Sequence, residues 1–213
     1  EREVVFFAIG FETTTPPTAV VIQQASKLGL TNLSVFSNHV LTPAAISAIM
    51  ASGETRLDGI VGPAHVSTVI GSRPYEPFAA QYRMPVVIAG FEPLDMMQAI
   101  LMLVRQINQG RAEVENEFTR AVTRDGNRKA QAMVEDVFEL RPSFEWRGLG
   151  SVPDSALQIR EKYAAFDAER QPRRAAQLLR AQIGVALVQL DGRDEFRSVE
   201  IDARSVRQQR GAE

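Results

Sequence analysis

No cysteine occurs among the 213 residues. That removes disulfides, thiolate metal sites and a cysteine nucleophile from what this chain supplies by itself, and it fits a reducing, cytoplasmic setting. Histidine is nearly as scarce. His39 and His65 are the only two, so imidazole chemistry is confined to them. An excess of either charge is also lacking: 24 Lys and Arg stand against 26 Asp and Glu, a formal net charge of −2, which argues against a nucleic-acid partner. The apolar runs are short. AILMLV, Ala99 to Val104, is among the longest and falls far below a bilayer span. The chain opens on Glu1 with no signal-peptide pattern and is in an apolar run by Val4, so it reads as beginning partway through a protein. What remains is 45% hydrophobic and 23% charged, ordinary globular composition for one large domain or two small ones.

Apolar runs alternate with helix signals. Val4 to Ile9 is a continuous apolar run, which predicts a strand covered on both faces. Thr15 as cap, with Pro16 or Pro17 as opener, predicts a helix to about Leu28, stopped by Gly29. Leu33 to Phe36 is the next strand, and Thr42 with Pro43 opens a second helix that Gly53 closes. Gly59 to Val61, a turn GPAHVSTVIG, a helical segment near Tyr75 to Tyr82, a strand Val86 to Ala89 and a helix from about Leu94 to Gln109 follow. Strand alternating with helix predicts an α/β fold with mainly parallel sheets flanked by helices. Beyond Gly110 the pattern weakens. Val114 to Val122 reads as strand or helix, Asn127 to Glu139 as helix, Ser143 to Pro153 as turns with an edge strand, and Ala156 to Ala168 as helical. WRGLG, Trp146 to Gly150, reads as a packed corner more readily than as a partner contact.

One pattern occurs twice. AIGFETTTP and IAGFEPLDM each place a strand, then Gly-Phe-Glu, then a helix. Duplication of an α/β lobe explains this, with lobes over 1–83 and 84–170 and a divergent tail over 171–213. In open α/β sheets ligands sit at the carboxyl ends of the strands. The residues just after the predicted strands are Glu12, Asn38 and His39, His65, and Glu92. Together they point to one shared polar site. Thr13, Thr14 and Thr15 add hydroxyls beside the free N–H groups of a helix start, where an anion or polar ligand is favoured. For each residue alone a plainer role is open: a carboxylate interacting with a helix dipole, or a histidine bonded to a carbonyl. No spacing among these residues specifies a metal site.

The segments IGFETTTPPT, SNHVLTP, DGIVGPAHVSTVIG, VVIAGFEPLD, VENEFTRAV, GNRKA, VFE, WRGLGSVPDSAL and YAAFDA occur in order. They resemble the HypD family of NiFe-hydrogenase formation proteins over roughly Val4 to Glu169. The resemblance implies two related Rossmann-like lobes around a cleft. It implies a maturation scaffold rather than a turnover enzyme, acting with a HypC-like chaperone and a HypE-like cyanide donor. On it an iron atom receives cyanide and carbon monoxide before transfer to hydrogenase, and a four-iron four-sulfur cluster accompanies it. The cleft motifs carry over to Gly10, Phe11, Glu12, Thr13 and Thr14, and to Pro63, His65, Val66 and Ser67, with Glu12 and His65 as the candidate catalytic pair. Asn38, His39 and Glu92 complete the candidate site. The chain departs from the family at Ala64, where glycine is usual, in lacking the iron and cluster cysteines, and in the tail after Gln171. It is therefore expected to bind neither thiolate-held iron nor the cluster, and the tail is expected to pack poorly, with Leu178 to Val188 as one possible amphipathic helix. A stand-alone α/β enzyme or small-anion-binding module using Glu12, His39 and His65 is the alternative reading.

Overall fold

The computed structural model describes residues 3–171 and two further strand segments, Leu187–Leu190 and Phe196–Val199. Its elements are β1 (Val4–Gly10), α1 (Thr15–Lys27), β2 (Leu33–His39), α2 (Thr42–Ala51), β3 (Ile60–Pro63), α3 (Ala64–Ile70), a 3-10 turn (Arg73–Tyr75) and α4 (Glu76–Tyr82). These are followed by β4 (Val86–Ala89), α5 (Pro93–Asn108), β5 (Val114–Asn116), α6 (Arg128–Val137), β6 (Phe138–Leu140), β7 (Ser143–Trp146), β8 (Gly150–Pro153), β9 (Leu157–Ile159) and a 3-10 segment (Glu161–Phe166). The described residues form a mixed α/β protein with parallel sheets flanked by helices.

β1 pairs with β2 in parallel, from Val4 opposite Leu33 to Gly10 opposite His39. Helix α1 covers one face. It opens on prolines, whose missing N–H costs nothing in the first turn. Thr15, Thr18, Ala19, Ile22 and Ala25 recur at three- and four-residue intervals and are its buried side. Ala8, Ile22, Val35, Val137, Phe138, Ile159 and Phe166 make one core there, so residues from α6 onward close over the first sheet. α6 starts where Asn127 Oδ1 accepts from the backbone N–H groups of Lys129 and Ala130, both at 3.1 Å.

A second sheet runs β3-β4-β5, all parallel. Alternate residues of β4 feed opposite faces. Val86 and Ile88 join Ala64, Tyr75, Phe78, Phe118 and Val122, whereas Val87 and Ala89 pack on Ala99 and Leu103 of α5. The Ala64 methyl is fully enclosed in the first of these clusters, so the departure from glycine is absorbed by packing. Because β3 pairs with β4, one sheet runs across the lobe boundary expected at 83/84.

Four expectations are corrected. The strand from Val4 is not covered on both faces: Val4, Phe6 and Ile9 are each about half exposed, since among the described residues β1 has a strand neighbour on one side only. The GPAHVS turn is instead the end of β3 running directly into α3. Residues 156–168 are not a helix. Leu157 and Ile159 are buried on one face, alternate with Gln158, and pair antiparallel with β6, a period of two that the neighbouring strand selects. In the tail, Leu187 and Val188 lie in a strand paired with Phe196–Val199, where the partner strand satisfies their backbone N–H and C=O groups. Residues 178–186 lie outside the described residues. No helix among the described residues is long and apolar enough to cross a membrane.

Candidate functional site

The carboxyl ends of β1 and β4 each pass through a turn into a helix, and β3 runs directly into α3. After β1 the chain must bend sharply, and Gly10 does this at φ +130. A Cβ there would sit 2.3 Å from Thr14 Oγ1, so both the torsion and the space require glycine. The bend folds the threonines back on the strand end. Thr14 Oγ1 donates to the Phe11 carbonyl at 3.0 Å, and Thr15 Oγ1 donates to the same oxygen at 3.2 Å. These hydroxyls are thereby engaged within their own turn. Thr13 is half-buried beside them, and Phe11 is exposed.

Glu12 is turned inward and only 5% exposed. Its Oε1 accepts from the backbone N–H of Thr42 and its Oε2 from the Thr42 hydroxyl, each at 2.8 Å. Thr42 is the first residue of α2, whose leading N–H groups have no partner within the helix. Glu12 thus caps α2, thirty residues away, and not the adjacent α1. Burial raises its pKa, against the lowering effect of these hydrogen bonds. Helix α2 in turn places Ile46 and Met50 against the second core. Glu12 therefore ties the end of the first sheet to an element of the second. Leucine offers no acceptor to the two donors, so Glu12→Leu should lower stability by about 2 kcal/mol. This should appear as a lower urea midpoint at unchanged slope. An unshifted midpoint would refute the capping role.

His39 is buried at the last position of β2, 1% exposed. Its Nε2 shares a hydrogen bond with Thr18 Oγ1 at 3.0 Å, its Nδ1 lies 3.4 Å from Thr14 Oγ1, and its ring meets Phe138 edge-on at 5.8 Å. Burial drives its pKa down to about 4. Neutral and enclosed, His39 braces the junction of β2, α1 and β6 and does not open onto the strand-end surface. Asn38, one residue earlier, pairs with Ile9 and is half-buried.

The ends of β3 and β4 lie side by side, with Pro63 opposite Ala89. Val66 and Ser67 point inward, and the Ser67 hydroxyl donates to the Pro63 carbonyl at 2.8 Å. Tyr75 is fully buried beside them, its hydroxyl pKa pushed up chiefly by burial and further by the Glu12 carboxylate. His65 is exposed and stacked on Phe91, centroids 4.9 Å apart and planes within 11°. Glu92, exposed at the start of α5, lies 3.3 Å from Arg120, which also bonds Asp95 through Nη1 at 3.1 Å. The Arg120 guanidinium holds the Asp95 carboxyl below its ordinary range. Glu12 and Glu92 occupy corresponding places after parallel strands yet do different things. One is buried and caps a distant helix; the other is exposed in an ion pair. Gly90, unlike Gly10, has no positive φ.

The structure gathers His65, Phe91, Glu92, Phe118 and Arg120 at one edge, and Glu12 with Thr42 at the neighbouring one. Thr42, Tyr75, Phe91, Asp95, Phe118 and Arg120 escaped the sequence reading. Asp95 had a local signal in its place just after the second Gly-Phe-Glu copy. Phe91 had one as the middle residue of that copy and Thr42 had one as a helix opener, whereas Tyr75, Phe118 and Arg120 had none, because their contacts join residues far apart in the chain.

These features define an α/β protein with a polar, partly aromatic surface at the carboxyl ends of parallel strands. Residues 1–183 match the profile of the family described as HypD, hydrogenase formation hypA family. The chain is 72% identical over 174 residues to the hydrogenase expression/formation protein HupD of Azotobacter chroococcum mcd 1, covering 79% of this chain and 46% of that protein. It is 70% identical over 175 residues to the hydrogenase maturation factor HypD of Azotobacter vinelandii, covering 80% and 46%. With the factor of Escherichia coli K12 it shares 40% over 176 residues, covering 83% and 47%. The chain belongs to the HypD hydrogenase formation family, and it spans about half the length of the curated relatives it matches.

A four-iron four-sulfur cluster does not fit the donors of this chain. There is no cysteine, and among the described residues no three His, Asp or Glu side chains converge as a metal-binding group.

Proposed function

We propose that this chain is a segment of a hydrogenase maturation scaffold, and that its strand-end surface handles the small ligands delivered to an iron atom carried as cargo. The observation that carries this reading is the convergence of the ends of β3 and β4 on an exposed imidazole, His65, in a chain of the HypD family. In this reading one lobe forms around β1–β2 and another around β3–β4–β5, with a Rossmann-like arrangement in each and the cleft between their strand ends. A HypC-like chaperone and a HypE-like cyanide donor are the proposed partners, and cyanide and carbon monoxide the ligands that complete the iron before transfer.

Roles divide by burial. His65 is the group free to donate or accept a proton or hydrogen bond toward a bound ligand. Glu12, engaged by Thr42, fixes the loop that borders the cleft. The Thr14 and Thr15 hydroxyls, engaged with the Phe11 carbonyl, do not favour a free-standing anion site. The test is a chimera in which this chain replaces the matching 175-residue segment of the Azotobacter vinelandii factor, expressed in a strain lacking its own copy. His65→Ala should reduce hydrogenase activity about a hundredfold at unchanged soluble protein. Glu12→Leu should reduce activity and melting temperature together. Normal maturation with His65→Ala would overturn the proposal.

A further inference from the structure

His65 raises a question of orientation. Among the described residues no hydrogen bond holds its imidazole, and it sits on the second residue of a short helix, exposed to water. An unrestrained side chain there exchanges rotamers freely, which a group that must meet a small ligand cannot tolerate without loss of rate. What it has instead is contact with two aromatic rings. Phe91 lies nearly parallel at 4.9 Å, and Phe118 lies tilted at 6.0 Å.

We propose that Phe91 is a positioning residue that sets the His65 imidazole by face-to-face stacking across the ends of β3 and β4. The proposal rests on the reading of His65 given above. The register makes the pairing direct: Pro63 stands opposite Ala89, and His65 and Phe91 each follow two residues later. Burial does not account for Phe91, which remains 73% exposed; leaving that much ring in water forgoes most of what a phenylalanine gains from packing. The backbone that aims it is tightly seated. A Cβ on Gly90 would lie 2.3 Å from Asp95 Oδ2, 2.4 Å from Phe118 Cε2 and 2.5 Å from Glu92 Oε2. The second ring is also supported, since the Arg120 guanidinium lies 3.7 Å from the Phe118 ring centre and is held by Asp95 and Glu92. The imidazole is thus fixed by rings alone, and both its nitrogens stay available. The second Gly-Phe-Glu copy then contributes its phenylalanine, where the first contributes its glutamate.

The test uses this chain, its Phe91→Leu variant, which keeps an apolar side chain but removes the ring, and Phe91→Tyr, which restores it. NMR three-bond couplings report the His65 χ1 rotamer, and its ring-proton shifts report stacking. The wild type and Phe91→Tyr should show one rotamer with ring-current-shifted protons. Phe91→Leu should show averaged couplings and unshifted protons at unchanged melting temperature. In the chimera, Phe91→Leu should reduce hydrogenase activity by about ten- to a hundredfold, with Phe91→Tyr near wild type. Averaged couplings in the wild type, or a single rotamer in Phe91→Leu, would overturn the proposal. So would full maturation by Phe91→Leu where His65→Ala fails. If the couplings behave as expected but His65→Ala matures hydrogenase normally, the positioning stands and the functional reading of His65 falls.

Discussion

Gly71→Ala is expected to destabilise the protein by about 4 kcal/mol, combining forced overpacking with a left-handed backbone. Gly71 sits at φ +82 after α3, and a Cβ there would lie 2.3 Å from the Arg124 carbonyl oxygen and 2.6 Å from the Gly126 nitrogen. Gly126 is its counterpart: at φ +68, its Cβ would lie 2.3 Å from the Val69 oxygen and 2.5 Å from the Gly71 nitrogen. Two backbone segments therefore meet with no room for a side chain between them. They are joined by Arg73 N–H to the Arg124 carbonyl at 3.0 Å and Asn127 N–H to the Val69 carbonyl at 3.0 Å. The Gln131 amide adds bonds to the Val69 and Asp125 carbonyls at 2.8 and 2.7 Å. This seam connects α3, beside the second sheet, to α6, which packs in the first core. Because the obstructing atoms are backbone, neither side yields cheaply. Gly29 is the control: it also has positive φ, but nothing lies within 4 Å of an added Cβ. Gly29→Ala should therefore cost only about 1 kcal/mol. Urea unfolding of both variants decides the matter, and equal losses would show that the close approach at Gly71 is not what requires glycine there.

The second large effect depends on pH. The folded pKa of His39 is about 4 against 6.5 for the free side chain, because burial disfavours the imidazolium. The folded value is depressed, so as pH falls the unfolded chain takes up the proton first. The stability that a neutral His39 contributes is complete above pH 6.5 and is lost as pH falls toward about 4. A shift of this size corresponds to about 3 kcal/mol. Glu12, Asp167 and Glu169 act in the opposite direction, since burial raises their folded pKa values and their protonation favours the fold. The informative quantity is thus the difference between wild type and His39→Gln. The variant should be less stable at pH 7, through altered bonding to Thr18 and Thr14, and the gap should shrink by about 3 kcal/mol as pH is lowered to 4. A gap that stays constant would mean His39 titrates alike in both states.

The strand and helix pattern up to Asn108 was legible because each element carries its own signal. Apolar runs end at glycine, prolines open α1, α2 and α5, and the apolar positions of α1 recur at helical intervals. The placing of Glu12 and His65 just beyond parallel strands followed from that pattern, and the family resemblance from the ordered motifs. The stretch after Gly110 is less legible. β5, β6 and β9 have three residues each, too few to display a period, and they exist only because a partner strand supplies their hydrogen bonds. His39 was placed at the edge, yet its neighbours Thr18 and Phe138 come from helix and strand segments that no local pattern links to it.

By its own sequence the chain determined its α/β class, its motif order and which few residues could carry polar chemistry. With no cysteine and two histidines, it limited that chemistry before any fold was known. Tertiary structure alone decided how those residues are used. Two Gly-Phe-Glu copies of nearly the same local sequence diverge because their surroundings differ. A helix terminus lies beside the first and draws Glu12 inward to the backbone N–H and hydroxyl of Thr42, whereas the second lies beside α3 and Arg120, which leaves Glu92 in water and sets Phe91 against His65. Burial and hydrogen-bond pairing depend on what the rest of the chain brings within a few ångströms, and for residues tens of positions apart that is a property of the packed fold.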